Sequence, residues 1–199
     1  PSVLPLHDTA WLSVTLRPLS RSLCSSPLAA SLTTLPAPPL PAIPCRIPGG
    51  RSVVNNKLYI FGGYSSVGTP TVFAETWRCD PTAVAGSRWT QLASANLPQA
   101  RGFIAGAALD GYIYAIGGDV ISGGLSPVAT VSRLDPNAGS PAWTNIASLP
   151  TARGDLGAWA YDTGQPYEIA GHIAVAGGVY PTPTNVGYLY DPGTNSWGA

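Results

Sequence analysis

The sequence predicts an all-β protein built from repeated units of four short strands, and three observations lead to this prediction. An apolar segment that ends in Gly-Gly occurs three times, at 58–63 (LYIFGG), 113–118 (IYAIGG) and 173–178 (IAVAGG). An Asp-Pro pair and then a tryptophan follow each segment in the same order, at a period of about 54 residues. No stretch of the sequence has sustained helical periodicity. Four short strands at this period are typical of one blade of a β-propeller.

The middle repeat shows most clearly how each unit divides into strands. Asp110-Gly111 favours a two-residue hairpin turn between the first two strands, and Asp135-Pro136 ends the third. In the first repeat Asn55-Asn56 takes the place of the hairpin turn, and in the third the turn is lengthened to 162–172. The four strands predicted for the middle repeat are 102–109, 112–118, 130–134 and 143–149.

Two sets of residues recur in every repeat and have predicted structural roles. The paired glycines allow close approach of the backbone where the blades crowd together. The tryptophans offer a large apolar face with a single N–H, which suits the seam between neighbouring blades. The glycines are Gly62, Gly63, Gly117, Gly118, Gly177 and Gly178, and the tryptophans are Trp89, Trp143 and Trp197.

The order of apolar strand, Gly-Gly, Asp-Pro and Trp resembles that of kelch repeats, most closely at 188–197 (YLYDPGTNSW). The resemblance covers residues 42–197 and implies a kelch-like propeller segment over 42–199. Its units lie at about 42–96, 97–148 and 149–199. Because closed propellers have about four to eight blades, we expect an incomplete propeller of about three blades. Such a segment either belongs to a longer propeller or completes itself by assembly.

Residues 1–41 lack the repeat pattern and are rich in Pro, Ser and Leu. Closely spaced prolines forbid helix and remove hydrogen-bond donors from strands. We expect a linker here, with a degenerate blade or a reading-frame error as the alternatives.

Composition and charge limit the classes of function. Ten basic and ten acidic residues give a net charge of zero, so no electrostatic surface for nucleic acid is expected. No apolar run approaches the length of a membrane span, and no CxxC or HxxH pattern indicates a metal site. We expect no metal and no cofactor. Low charge and loops rich in Gly, Ser and Thr favour an extracellular or cell-surface location.

Three arginines occupy the same register and are candidates for ligand binding. Arg46 and Arg101 each lie 16 residues before the Gly-Gly pair of their repeat, and Arg153 does so once the longer turn is discounted. The kelch resemblance implies that residues at this place line the mouth of the central channel. Guanidinium groups suit carboxylates or sugar hydroxyls. The alternative is that these arginines belong to the repeat itself and bond loop carbonyls between blades.

Aromatic residues outside the tryptophan set are the second group of candidates. Tyr64, Trp77 and Tyr180 are predicted to bind ligand, and Trp159 is a further exposed candidate. Aromatic faces beside loops of small polar residues suit stacking on saccharides or docking of peptides. Ordinary packing within the blades is the alternative.

These features together predict a non-catalytic binding or scaffolding module that recognises protein or carbohydrate through its loop face. The first alternative is a carbohydrate-active enzyme of the sialic-acid-epimerase type, in which the three arginines bind an acidic sugar. The second is a structural subunit of an extracellular assembly that self-assembles through open blade edges. An enzyme is less expected, because Glu75, Asp119, Asp155 and Glu168 form no recognisable acid/base pair by spacing.

Overall fold

In a computed structural model, the described residues are 49–84, 86–179 and 182–198, and they form three four-stranded antiparallel sheets. We number these sheets as blades 1 to 3. In this part of the chain there is no helix, so none is long and apolar enough to cross a membrane. The predicted all-β architecture of about three propeller blades is confirmed. Residues 1–41 lie outside the described residues.

The strands of each blade follow one another in chain order, and two-stranded ribbons interrupt blades 1 and 2. Blade 1 and its ribbon comprise β1 (Gly50–Val54), β2 (Lys57–Phe61), β3 (Tyr64–Ser65), β4 (Thr71–Val72), β5 (Thr76–Cys79) and β6 (Trp89–Gln91). Blade 2 and its ribbon comprise β7 (Ala105–Leu109), β8 (Tyr112–Ile116), β9 (Asp119–Ile121), β10 (Leu125–Pro127), β11 (Val131–Leu134) and β12 (Trp143–Ile146). Blade 3 comprises β13 (Gly154–Tyr161), β14 (His172–Val179), β15 (Gly187–Asp191) and β16 (Ser196–Gly198).

Turn residues set the register of the first two strands in each blade. Asn55 and Asn56 have φ of 50° and 59°, and Asp110 and Gly111 have φ of 48° and 81°. Two successive residues at positive φ are what a type I′ hairpin turn requires. In blade 3 the lengthened connection joins two eight-residue strands, β13 and β14. The second ribbon was expected to be loop, and Gly123 at φ 70° supplies the turn that folds it back.

The blades stack with their first strands side by side and bury one apolar seam between each pair. Gly106 of β7 is needed for this stacking, because a Cβ there would collide with the main chain of Arg51 in β1. Seam 1 lies between blades 1 and 2, and its residues include Val54, Tyr59, Phe61, Ile104, Ile113, Leu134 and Trp143. Seam 2 lies between blades 2 and 3, and its residues include Leu109, Tyr114, Ile116, Val131, Leu156, Ile173 and Tyr190.

The glycine pairs lie where one blade meets the next. Gly63 donates its N–H to the main-chain oxygen of Arg101, and Gly118 donates to that of Arg153, each at 3.0 Å. A Cβ on Gly62 would lie 2.6 Å from the Arg101 oxygen, closer than real Cβ contacts allow. The first two Gly-Gly pairs are therefore each hydrogen-bonded to the arginine segment of the following blade.

Two of the repeat tryptophans lie in the seams. Trp143 donates its indole N–H to Thr76 Oγ1 at 2.9 Å across seam 1, and Trp197 donates to the main-chain oxygen of Ala147 at 2.9 Å across seam 2. Trp89 has the same register in blade 1, so its side chain lies on the face that points away from blade 2. Each buried indole thus keeps a hydrogen-bond partner while its ring packs.

Candidate functional site

The two ends of the stacked blades differ in construction. The hairpin end carries the turns at 55–56 and 110–111 and the long connection at 162–171. The ribbon end is the opposite one, where the chain leaves the second strand of each blade after Gly-Gly. It carries the ribbons β3–β4 and β9–β10.

Arg101 is fully buried near the ribbon end, and its guanidinium points into its own blade. Nε donates to the main-chain oxygen of Gly117 at 3.0 Å, and Nη2 donates to that of Ala115 at 3.2 Å. Nη2 also donates to Ser132 Oγ at 3.2 Å. Burial lowers the pKa of Arg101 to about 10, so the side chain is still a cation at neutral pH. Arg101 lies here because it belongs to the Leu-Pro-x-x-Arg-Gly segment that links blade 1 to blade 2.

Arg153 repeats this arrangement in seam 2. It is 2% exposed, and Nη1 donates to the main-chain oxygens of Gly177 at 3.0 Å and Val186 at 2.9 Å. Its guanidinium carbon lies 4.8 Å from the ring centre of Tyr188. Both arginines thus bond main-chain oxygens of their own blade, whereas the alternative expected them to bond loop carbonyls between blades. A ligand-binding role for Arg101 and Arg153 stays a prediction, and Arg46 lies outside the described residues.

The predicted aromatic ligand-binding residues are spread over the molecule. Tyr64 begins β3 at the ribbon end, where its ring centre lies 5.3 Å from that of Phe103. Trp77 lies in the middle of β5, half-buried, with an indole N–H that has no hydrogen-bond partner. Trp159 is 46% exposed in β13, and Tyr180 lies outside the described residues. Of Tyr64, Trp77 and Trp159, only Tyr64 is at the ribbon end.

The structure brings together two carboxylates that the spacing of the sequence did not pair. Asp119 begins β9 directly after Gly118 and is 8% exposed. Asp155 follows Gly154 at a φ of 54° and donates its N–H to the main-chain oxygen of Phe103 at 3.1 Å. The Asp119 carboxylate packs so closely on Gly154 that a Cβ there would collide with it. Stacking of blade 3 on blade 2 therefore places the two acids next to each other.

Asp119 and Asp155 can be found from the sequence by comparing the repeats with one another. Asp119 stands where blade 1 has Tyr64, directly after Gly-Gly. Asp155 stands where blade 2 has Phe103, directly after Arg-Gly. The aromatic pair of seam 1 is thus replaced by a carboxylate pair in seam 2.

Asp119 is buried whereas Asp155 is exposed, so the charged form is costly chiefly for Asp119. Burial, and then the charge of Asp155, raise the pKa of Asp119. Burial also raises the pKa of Asp155. Within the described ranges, no side chain donates a hydrogen bond to the Asp119 carboxylate, whereas its main chain exchanges two hydrogen bonds with Gly102 at 2.8 and 2.9 Å. The main chain of Asp119 is therefore held in place, while no described side chain offers its carboxylate a hydrogen bond.

Both acids line a cleft of about 630 Å³ at the ribbon end. Its walls are mostly apolar, and the residues that line it are Phe103, Asp119, Leu125, Ser126, Pro127, Asp155 and Val179. Asp155 also borders a neighbouring cleft of about 390 Å³ that contains the exposed Arg51. Among the described residues, no group of three or more His, Cys, Asp or Glu side chains is arranged to hold a metal ion. The larger cleft is therefore partly apolar and negatively charged.

Curated relatives with kelch names share part of this sequence, although no protein-family model matches it. The human "Kelch repeat and BTB domain-containing protein 13" is 36% identical over 118 residues, which are 59% of this chain and 23% of that protein. The bovine "Kelch-like protein 13" is 38% identical over 81 residues, 40% of this chain and 12% of that protein. The mouse "Kelch-like protein 9" is 37% identical over 81 residues, with the same shares. The chain spans less than a quarter of the length of these relatives.

The relatives overturn one prediction. The composition favoured an extracellular or cell-surface location, but kelch-like proteins of this kind are typically intracellular. That prediction is wrong. Low charge and loops of small residues follow from the repeated blades themselves, because inner strands are apolar and tight turns need glycine.

Proposed function

Because the chain belongs to the kelch-repeat family, we propose that its propeller segment is a non-catalytic module that binds a protein partner at the ribbon end. The observation that carries the proposal is the contrast between a repeated framework and a variable surface. The Gly-Gly to arginine hydrogen bonds are the same in both seams. The residues that follow those motifs differ from blade to blade.

Exposed aliphatic side chains at the ribbon end favour a protein partner over a glycan. They lie on the ribbon tips and beside the large cleft, and they are Val67 (72% exposed), Ile121 (41%), Leu125 (47%), Val179 (38%) and Val186 (43%). Aliphatic surface gains free energy when a protein partner covers it. Saccharide binding depends more on aromatic faces flanked by polar groups, and Tyr64 with Phe103 is the aromatic contact at this end.

In this proposal the predicted site residues divide between support and contact. Arg101 and Arg153 support the surface by holding the segments that carry Phe103 and Asp155. Tyr64 is a contact residue, since it begins the ribbon β3–β4 and packs on Phe103. Trp77 stabilises blade 1, because it lies within β5 and pairs with Ile60.

Selection of random peptides displayed on phage, followed by a hydrogen-exchange footprint, tests the proposal. We expect selected peptides to protect the main-chain amides of 119–127 at the ribbon end. The amides around the hairpin turn at 110–111 should exchange as they do without peptide. Tyr64→Ala should weaken binding by about tenfold or more, as expected for an aromatic contact at the centre of an interface.

Tyr167→Ala is the matched control, because Tyr167 is also exposed (52%) but lies in the 162–171 connection at the hairpin end. Its substitution should leave peptide affinity unchanged. A footprint confined to the hairpin end, or equal losses from both substitutions, would contradict the proposal.

A further inference from the structure

Two positions in the repeat carry aromatic residues in seam 1 and carboxylates in seam 2. In seam 1, Tyr64 and Phe103 pack against each other with ring centres 5.3 Å apart. In seam 2, Asp119 and Asp155 occupy the equivalent positions. The backbone conformation is also alike, since Phe103 has a φ of 53° and Asp155 a φ of 54°. The framework accepts an apolar pair at these positions. The acids are therefore not required by the fold.

The environment of Asp119 is unfavourable unless something compensates the charge. The residue is nine-tenths buried, and the described part of the chain gives its carboxylate no hydrogen-bond donor. The charge that acts on it from across the seam is that of a second carboxylate, Asp155. Buried charges in proteins are ordinarily paired with a cation or bound to a metal. The exposed Arg51 lies in the neighbouring cleft that Asp155 borders, and it is not among the residues that line the larger cleft.

The residues that line the large cleft and its volume indicate what kind of cationic group fits there. Phe103 provides a ring, and Leu125 and Pro127 of the second ribbon provide aliphatic surface. A volume of about 630 Å³ is far larger than a bare ion needs. An arginine side chain matches both features: its three-carbon stem packs on apolar surface, and its planar guanidinium binds carboxylates and stacks on aromatic rings.

We propose that the cleft between Asp119 and Asp155 binds an arginine side chain of the protein partner. This inference rests on the proposed function and names the chemistry of the partner residue. The guanidinium donates hydrogen bonds to the two carboxylates, and the stem lies along Phe103 and Leu125. No bond is made or broken. Specificity arises because a neutral side chain in this cleft leaves the Asp119 charge unpaired.

Titration of N-acetyl-arginine-N-methylamide into the isotopically labelled chain, followed by NMR, tests this inference. We expect saturable shifts of the main-chain amides of Asp119, Gly154 and Asp155. The neutral analogue built on citrulline has the same shape and lacks the charge, so it should bind at least about tenfold more weakly, equivalent to about 1.4 kcal/mol. Asp119→Asn should weaken binding of the arginine probe by a similar factor.

Glu168→Gln is the matched control, since Glu168 is an exposed carboxylate in the connection at the hairpin end. Affinity for the arginine probe should be unchanged in that variant. Equal binding of the citrulline analogue, equal binding by Asp119→Asn, or an equal loss in Glu168→Gln would overturn the inference. So would a titration in which calcium chloride, and not the arginine probe, shifts the same amides.

The outcome also separates this inference from the proposed function. If selected peptides footprint on the ribbon end but bind without arginine and are insensitive to Asp119→Asn, the arginine cleft is wrong and the protein-binding function stands. If no peptide binds at the ribbon end, the proposed function itself fails.

Discussion

Seam 1 and seam 2 share the same repeated hydrogen bonds but carry different residue types at the ribbon end. Both contain a Gly-Gly pair bonded at 3.0 Å to the arginine segment of the next blade, and both bury a tryptophan with a satisfied indole N–H. Seam 1 finishes in the Tyr64–Phe103 ring pair, whereas seam 2 finishes in the Asp119–Asp155 carboxylate pair. The repeated residues account for the fold, and the partner contacts that we propose lie where the repeat changes.

The two seams also differ in what their ribbon-end pairs contribute to stability. Aromatic pairs of this kind stabilise by about 0.5–1.5 kcal/mol beyond the burial of area. The buried Asp119 carboxylate loses solvation and is repelled by the exposed Asp155, which disfavours the folded state at neutral pH. A pair that destabilises the protein by itself is more readily explained by binding than by folding.

The largest effect is expected from Arg101→Ala, which removes a guanidinium buried within blade 2. The free energy of unfolding should fall by about 3–5 kcal/mol, because several charged hydrogen bonds are lost and buried carbonyl oxygens lose their donors. Urea denaturation measures the change. Arg51→Ala, at an exposed arginine of β1, should stay within about 0.5 kcal/mol. If Arg101→Ala keeps its stability but no longer binds peptide, the ligand-binding role predicted from the sequence is the correct one.

An intermediate effect is expected from Gly117→Ala, which tests the fastening of seam 2. Gly117 has a φ of 59°, and an added Cβ would collide with the main-chain oxygen of Arg153. The strained backbone and the collision together should cost about 1–3 kcal/mol. Gly123→Ala has a similar φ of 70° and nothing within 4 Å of its Cβ. Gly123→Ala therefore measures the cost of the strained backbone without a collision. Equal losses of stability in the two variants would show that seam 2 does not need the close approach of Gly117 to the Arg153 oxygen.

The smallest effect, and the one with opposite sign, is expected from Asp119→Asn. Because burial and Asp155 raise the pKa of Asp119 in the folded state, folding takes up protons and the wild type loses stability as pH rises through that raised value. The variant should therefore be slightly more stable at neutral pH, and the difference should vanish below the ordinary pKa of about 3.8.

Thermal unfolding from pH 3 to pH 8 measures this difference. Ser126→Ala changes a neutral residue of the same cleft and should follow the pH profile of the wild type. A constant difference between Asp119→Asn and the wild type at every pH would contradict the assignment of an uncompensated charge.

The sequence was sufficient to predict the blades, for identifiable reasons. Turn pairs such as Asp110-Gly111 require positive φ and so fix the hairpins. Apolar segments between such turns are too short for helices and appear as β2, β8 and β14. The longer hairpin of blade 3 could also be predicted, because more residues separate its two apolar segments than in blades 1 and 2. In the structure these segments form β13 and β14.

The candidate site was harder to predict from the sequence, because it depends on contacts between repeats. Asp119 and Asp155 belong to different blades, and no motif joins them. Their proximity results from the stacking of blade 3 on blade 2. The second ribbon, which carries Asp119 and Leu125, was expected to be loop because its strands are only three residues long. Residue-by-residue alignment of the repeats does single out these positions, since Asp119 stands where blade 1 has Tyr64 and Asp155 stands where blade 2 has Phe103.

The hydrogen bond from each Gly-Gly pair to the next arginine segment gives the stack a direction. Gly63 depends on Arg101, and Gly118 on Arg153, so blades 1 and 2 are each completed by residues that the ribosome adds later. A nascent chain that has emerged only to residue 96 holds all four strands of blade 1, yet the Gly63 N–H still lacks its acceptor. We therefore expect blades 1 and 2 to reach their final geometry only after the next blade has docked, so that a defect in one repeat also affects the blade before it.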